Sequence, residues 1–474
     1  MKILLTGATG YIARRLLPVL LEAGHEVVCC VRDGHRFYRD SPKAERISVI
    51  EVDFLKKESL SRIPSDIDAA YYLVHSMSAT TGDFSSLEAE AATNFIAAVS
   101  QTQAKQIIYL SGIVNEQHLS KHLRSRYNVE RILASANVPL TTLRAGIIVG
   151  SGSASFEIIR NLVEKLPIMI APRWVNTPSQ PIAIRNVIEF LSGVLLKEAT
   201  FGKSYDIGGP DVLSYKQMLL QFAEVRRLKR RVVVVPVMTP TLSSYWLYFV
   251  TATSYTLARN LVDSMSVKVV ARPNQLGEHL GIRLLSYKQA IVMAFDKIEQ
   301  NEVVSSWKDA LSSHILHKGV AQYIEVPVNG CYKDVRTITI QNSETVLDKI
   351  WAIGGSTGWY YGNWLWALRG LMDKMVGGVG LRRGRRSPTK ISAGDALDFW
   401  RVLLASREQK RLLLYAEMKL PGEAWLEFKI HPNNVLEQTA TFRPLGVLGR
   451  LYWYTVLPFH GFIFKGMIRK IAGR

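Results

Sequence analysis

Residues 1–33 read MKILLTGATGYIARRLLPVLLEAGHEVVCCVRD, and no other stretch constrains the fold as tightly. KILL is a short apolar run, too abruptly ended for a signal peptide, and it leads into a glycine turn. Beyond the turn, Ile12, Leu16, Leu17, Val19, Leu20 and Leu21 recur at helical spacing, and Gly24 supplies a C-terminal stop. A second apolar run, Val27 to Val31, follows at once. Strand, glycine turn, helix and strand in that order is the context in which a glycine motif carries chemistry. Gly7 permits the turn, Gly10 lets a pyrophosphate approach the backbone, and Ala13 keeps the helix close to the sheet. The helix start then offers free N–H groups and partial positive charge to phosphates. Gly7, Thr9, Gly10, Tyr11 and Ile12 are therefore the expected dinucleotide cradle.

The end of the second strand separates two cofactors. A carboxylate there binds the ribose hydroxyls of NAD, whereas an arginine accepts the 2′-phosphate of NADP. The chain reads CCVRDGHRFYR, with Arg32 first and Arg36 and Arg39 close behind. This favours NADP(H), while Asp33 keeps NAD open.

TGATGYIA, the VRD after the second strand and the IEVDF containing Asp53 together resemble an atypical or extended short-chain dehydrogenase/reductase. The NmrA-like and NAD-dependent epimerase/dehydratase-like branches are the nearest in pattern. The resemblance continues through YYLVHSM (71–77), Asn94, IIYLSG (107–112), LRAGIIVG (143–150), PIAIRNV (181–187) and YDIGGPDVLSYKQML (205–219). It implies a doubly wound parallel α/β Rossmann sheet over residues 1–300, including a small substrate subdomain. It also implies that Asp53 and Phe54 flank the adenine. Leu73, Val74 and His75 would line the cofactor after the fourth strand, and Ser111 would follow the fifth beside the nicotinamide.

In that family a Tyr and, four residues on, a Lys share one face of the next helix. The Lys holds the ribose and lowers the phenol pKa, so that the Tyr passes a proton while hydride moves. Here the stretch is HLRSRYNVE (122–130). Extended members often carry a Glu four residues after the Lys, and Glu130 stands four after Arg126, which stands four after His122. That register replaces Tyr by His122 and Lys by Arg126. A second register, Tyr127 with Arg131, would be turned by about 100° around the helix. Arg126 retains the charge and ribose-binding part of the Lys role but does not titrate near neutrality. His122 and His75 have the chemistry of an acid or base near pH 7; each also reads as an ordinary surface or packing histidine.

Composition bounds the remainder. With 474 residues and 48% hydrophobic content, the chain is long enough for two or three cores. Cys29, Cys30 and Cys331 have neither a disulfide framework nor metal-ligand spacing, a usage that suits a reducing cytoplasm. A net charge of +19 favours anionic partners. Residues 232–258 contain no charge, but Pro236, Pro240 and eight Ser or Thr argue against a transmembrane helix. A buried strand (Val232 to Val235) and a buried helix are expected there, with peripheral membrane contact as the other reading.

After a linker at 301–329 the texture changes. Residues 330–474 read as successive antiparallel strands with turns at Pro421-Gly422 and Pro432-Asn433-Asn434, then a long apolar helix broken or bent at Pro458. GWYYGNWLWALRGLMD, GGVGLRRGRR, GDALDFWRV, AEMKLPGEAWLEF and the YWY…PFHGFIF end resemble a C-terminal domain of unknown function fused to bacterial chains of this type. The pattern implies an α+β domain, with a START-like helix-grip arrangement and an apolar ligand cavity as the analogy. Arg382, Arg383, Arg385 and Arg386 form either an anion-binding loop or a solvated turn. Trp359, Trp364, Trp366 and Trp425 are expected in the core. Asp395, Asp398, Glu417 and Glu427 are expected to pair with Arg or Lys. No helix or sheet motif for reading nucleic acid is present. The combined expectation is an NADP(H)-dependent oxidoreductase or epimerase-like enzyme acting on an apolar small molecule, cytoplasmic or membrane-peripheral. A non-catalytic NAD(P)-binding sensor or assembly factor is the alternative.

Overall fold

Each strand of the first sheet sends alternate residues into two different cores. Ile3, Leu5, Val27, Cys29, Tyr71 and Ile108 enter one, and Leu4, Val28, Cys30, Tyr72, Ile107 and Tyr109 enter the other. Continuous apolar runs such as KILL are what a strand needs when helices cover both faces. The computed structural model describes residues 1–32, 34, 37, 44–74, 84–114, 121–235, 265, 267–299, 326, 331–376, 378–380, 391–444 and 446–473. The chain divides into two compact units, the first through Trp307 and the second from Lys308.

In the first unit the order is β1 (Lys2–Leu5), α1 (Ala13–Glu22), β2 (Glu26–Val31), β3 (Ile47–Glu51), β4 (Ala69–Tyr72), α2 (Phe84–Val99), β5 (Ile107–Gly112), α3 (Lys121–Leu133) and β6 (Leu140–Ala145). There follow β7 (Ile148–Val149), α4 (Ala154–Lys165), β8 (Ile168–Pro172), β9 (Pro178–Ser179), β10 (Ile182–Ala183), α5 (Ile184–Gly193) and β11 (Ser204–Ile207). β12 (Leu213–Ser214), α6 (Tyr215–Val225), β13 (Arg231–Val235) and α7 (Tyr287–Glu299) complete it. Seven strands make one sheet in the order β11-β6-β5-β4-β1-β2-β3, with every described pairing parallel. The winding reverses between β1 and β4, and the crevice beyond the strand ends at such a switch point is where α/β sheets bind ligands. Cys29 and Cys30 are free and buried on opposite faces; burial pushes the Cys29 thiol up to about 12.

β13 covers the expected strand 232–235, and among the described residues it pairs with β8. Val233 is exposed rather than buried. The uncharged residues 236–258 lie outside the described residues. So do Asp33, Arg36, Arg39, His75 and Arg382, Arg383, Arg385 and Arg386.

The second unit runs β14 (Tyr332–Thr339), α8 (Ser343–Trp351), α9 (Asn363–Met375), β15 (Ala396–Leu397), β16 (Trp400–Ser406), β17 (Arg411–Ala416), β18 (Gly422–Ile430), β19 (Val435–Pro444) and α10 (Gly446–Ile471). Its six strands form an antiparallel sheet in the order β14-β19-β18-β17-β16-β15. The β18–β19 turn falls at Pro432-Asn433-Asn434, where Asn434 takes a left-handed φ of 59°. α10 is not broken at Pro458: the proline lies within the helix on its exposed side, where the lost backbone bond is not buried.

Trp359, Trp366, Phe399, Trp400 and Phe464 pack together in the core of this unit, where the helix-grip analogy places a cavity. Trp359 donates to Asp398 at 2.9 Å. Glu417 and Glu427 pair with Arg401 and Arg411, whereas Asp395 accepts from the Ser392 backbone N–H. Trp364 departs from expectation, being 67% exposed on α9.

His460 of α10 is held between the rings of Trp453 (5.1 Å) and Phe464 (4.7 Å). Burial pushes its pKa down to about 4; Asp334 opposes the shift and Arg336 reinforces it. Between that value and 6.5 the unfolded chain binds more protons than the folded one, so stability rises with pH across this window. It is complete above the unfolded value and lost as pH falls toward 4. We expect on the order of 2–3 kcal/mol of pH-dependent stability from this residue. Urea unfolding at stepped pH checks it, and His460→Phe should flatten the slope between pH 4 and 6.5.

Candidate active site at the end of the parallel sheet

Gly7 has a φ of +62°, and a Cβ there would come within 2.7 Å of the Leu73 carbonyl oxygen. The turn therefore nests against the chain leaving β4. Thr6 reinforces the contact: its hydroxyl donates to the Tyr71 carbonyl (3.0 Å) and accepts from the Leu73 N–H (3.0 Å). Gly10 is exposed and donates to the Gly7 carbonyl at 2.7 Å, which closes the turn. Thr9 and Ile12 are half-buried around it, and Ala13, 1% exposed, packs the helix onto the sheet.

Tyr11 reaches away from this turn. Its hydroxyl lies where a Cβ on Gly150 would be, only 2.8 Å from that position. The Arg15 guanidinium stacks 3.9 Å above the Tyr11 ring and donates to the Ser151 carbonyl at 2.7 Å. Burial raises the Tyr11 pKa to about 12, with Arg15 and the Ser153 hydroxyl pulling the other way. Tyr11 thus ties the glycine turn to the loop after β7. The bare backbone of Gly150 makes room for it, a reason that reading LRAGIIVG alone does not supply.

At the β2–β3 corner Arg32 keeps part of its surface open, but burial of its guanidinium lowers its pKa and the Asp53 carboxylate opposes that shift. Glu51 also lies here, accepting from the Gly34 N–H at 2.8 Å. Phe54 points into the core, ring against ring with Tyr72 and Phe95. Its carbonyl is held by Asn94 at 2.7 Å, so Asn94 positions the turn that carries Asp53. Leu73 and Val74 are half-buried beyond the end of β4.

Ser111 lies within β5 rather than after it. Its hydroxyl is buried and makes no hydrogen bond of good geometry among the described residues. Arg126 of α3 donates to the Leu110 carbonyl, and its guanidinium lies 5.0 Å from the Tyr109 ring centre. Tyr109 is fully buried; burial raises its pKa, and the Arg126 charge and Ser111 partly offset this. It belongs to the packing beneath the site and is no replacement for an accessible phenol. On the same helix Tyr127 and Arg131 are exposed, so the second register faces away from β5. The His122 side chain lies outside the described residues.

Glu130 is 5% exposed and does more than mark a register. It takes two hydrogen bonds from Arg144 of β6, at 2.5 and 3.0 Å, and one from Ser204 of β11 at 2.9 Å. Arg144 is also 3.7 Å from Asp206, which Arg272 grips at 2.8 and 3.1 Å. These charges come from sequence positions 130 to 272 and have no local spacing that announces them. On α3's other contact, Ser125 donates to Glu88 of α2 at 2.5 Å, both buried.

Residues 7–160 match the family model described as NAD(P)H-binding. Residues 329–467 match the model described as protein of unknown function DUF2867. The chain thus carries a region that matches an NAD(P)H-binding model and, separately, a DUF2867 region. Among curated proteins, the photosystem II assembly factor Ycf39 of Synechocystis sp. is 24% identical over 215 residues, 44% of this chain and 63% of the relative's length. The match therefore spans somewhat under two thirds of that relative.

Triphenylmethane reductase of Citrobacter sp. superposes with a TM-score of 0.51 at 17% identity, over 62% of this chain and all of the other. The NADPH-dependent quinone oxidoreductase QOR2 of Escherichia coli, solved with NADPH, gives 0.51 at 16% identity over 62% and 99% of the two chains. A nucleoside-diphosphate-sugar epimerase of Staphylococcus aureus gives 0.50 at 15%, over 61% and 99%. These likenesses are of fold, and each covers somewhat over three fifths of the chain. Among the described residues no helix is long and apolar enough to cross a membrane.

Breaking the Glu130–Arg144 pair should destabilise the first unit strongly, because a buried charge would lose its partner. Arg144→Met is expected to cost about 3 kcal/mol in chemical denaturation. A loss under about 1 kcal/mol, the range of an exposed pair, would show that the pair does not anchor α3.

Proposed function

We propose that the chain is an NADP(H)-dependent oxidoreductase of the atypical short-chain class, acting on an apolar carbonyl or alcohol. The observation that carries this reading is the aim of Arg126. Its guanidinium is tied to the Leu110 carbonyl of β5, the residue before Ser111, whose hydroxyl is buried. That is the position from which a cation can hold a ribose and stabilise charge developing on a carbonyl oxygen.

The residues present fit a dinucleotide. Gly7 and Gly10 keep the turn bare of side chains where phosphates would lie, Arg32 stands at the end of β2 for a 2′-phosphate, and the Ser111 hydroxyl is buried beside the Tyr109 phenol. Nicotinamide, when bound, supplies the hydride. The chain's part is to orient the carbonyl by Ser111, to bind the ribose and counter developing charge by Arg126, and to supply a proton from His122 or His75.

A second reading, a non-catalytic NAD(P)-binding assembly factor, is favoured by two observations. The Tyr of the usual pair is absent, and the curated relative is described as an assembly factor.

NADPH oxidation with quinones and aromatic aldehydes as probe acceptors separates the two readings. Arg126→Ala should lower kcat about a hundredfold, with Arg126→Lys restoring much of it. His122→Phe should lower kcat by a similar factor if it supplies the proton. Full turnover in both Arg126→Ala and His122→Phe, with cofactor binding intact, would refute the catalytic assignment. NADPH binding without oxidation by any acceptor would favour the assembly reading.

Cofactor preference has a separate test, because Glu51 and Asp53 share the corner with Arg32. Arg32→Ala should weaken NADPH binding about tenfold or more while leaving NADH nearly unchanged. Equal losses for both would refute the preference for NADP.

A further inference from the structure

α9 and α10 each bury one side in the DUF2867 core and present an apolar stripe on the other. On α9 the exposed residues Trp364, Leu368, Leu371 and Met375 are spaced four, three and four apart, which places them on one face. On α10 Leu448, Leu451, Phe459 and Phe462 fall on one face in the same way, with exposed Thr455 between them. These side chains are not marginally open: Met375 is 64% exposed, Leu451 60% and Leu448 73%. The helices are antiparallel neighbours, since Tyr361 just before α9 meets Phe462 at 5.1 Å while Arg369 lies 6.0 Å over Tyr452. Scattered apolar residues on a surface need no explanation, but two adjacent stripes of this kind do.

Charge selects the occupant. The 26 residues of α10 include no Asp or Glu. The single carboxylate of α9, Asp373, is fully buried, accepting from the N–H groups of Gly380 and Lys419. The neighbouring carboxylates Asp395, Asp398 and Glu417 are buried as well. What remains exposed is basic. Arg450 and Lys465 lie along α10, and Arg469 and Lys470 continue its apolar stripe at the C-terminal end. Leu, Met, Phe and Trp with cations alongside and no acid exposed on either helix is the chemistry of a helix lying in the interface of an anionic bilayer.

We infer that the α9–α10 face of the DUF2867 domain is a peripheral docking surface for an anionic lipid membrane, with the apolar stripes entering the headgroup boundary and the flanking Arg and Lys holding acidic lipid. This rests on the second unit alone and is independent of the nicotinamide chemistry.

The test is sedimentation of the full chain with vesicles of phosphatidylcholine, with and without phosphatidylglycerol, at low and high salt. Binding is expected only where phosphatidylglycerol is present, and it should weaken as salt rises. Leu368→Glu and Leu451→Glu should each reduce partitioning about tenfold, and the double variant Arg469→Glu/Lys470→Glu by a similar factor. All these positions are exposed, so melting temperature and NADPH binding should stay as in the unsubstituted chain. Leu368→Ser and Leu451→Ser repeat the test without an added charge and should give a smaller loss. Trp364 emission should shift to the blue on vesicle binding, and Trp364→Phe should abolish that component. The inference is overturned if the chain fails to partition onto anionic vesicles, or if the Glu variants partition equally well. It is also overturned if the unsubstituted chain is a dimer that Leu451→Glu converts to monomer with no vesicle binding, which would make a second copy the occupant.

Discussion

The candidate site depends on one buried run of charges. Glu130 is held by Arg144, Arg144 also faces Asp206, and Asp206 is clamped by Arg272. Charges taken out of water are tolerable only when paired with good geometry, so this run permits few rotations of α3. Glu130 lies one turn beyond Arg126, and pinning one aims the other at the end of β5. Tyr127 and Arg131 are left in solvent by the same constraint. The face of a helix that meets the ligand is thus set by a carboxylate that touches no ligand itself.

Around this anchor the chain closes the crevice with backbone rather than with large side chains. Gly7 sits where its own Cβ would strike the Leu73 carbonyl, and Gly150 leaves room for the Tyr11 hydroxyl. Tyr11 and Arg15 join the phosphate-side turn to the loop after β7, so the two sides of the crevice share one stacked pair. Two-sided burial of the parallel strands makes the platform stiff, and the site needs that because its polar groups lie on several different elements.

The second unit divides its residues differently. Its large aromatics fill the core, the carboxylates Asp373, Asp398, Glu417 and Glu427 are spent on backbone N–H groups, Trp359, Arg401 and Arg411, and the exposed faces of α9 and α10 are apolar with basic residues on α10. The exposed acids Glu344 and Asp348 lie on α8, so the acid-free surface is that of α9 and α10 rather than of the whole domain. This arrangement is specific to α9 and α10, whereas the whole-chain charge of +19 indicates only that some anionic partner is favoured.

Much of the first unit was legible in the sequence, because its signals are local. A glycine turn between an apolar run and an amphipathic helix, repeated runs bounded by turns, and Glu130 four residues after Arg126 all depend on spacing along the chain. The antiparallel strands and the Asn434 turn of the second unit were legible for the same reason. The rest depended on partners distant in sequence. Whether Val233 is buried turned on which face of β13 the fold covers, and whether Trp364 belongs to the core turned on which face of α9 meets that core. Phe54 became core because Tyr72 and Phe95 surround it. The sequence by itself determined the elements and the residue types at the crevice, since these follow from periodicity and backbone sterics. Only the tertiary structure decided which charges pair and which faces are left open, because burial and ion pairing depend on what the fold brings alongside.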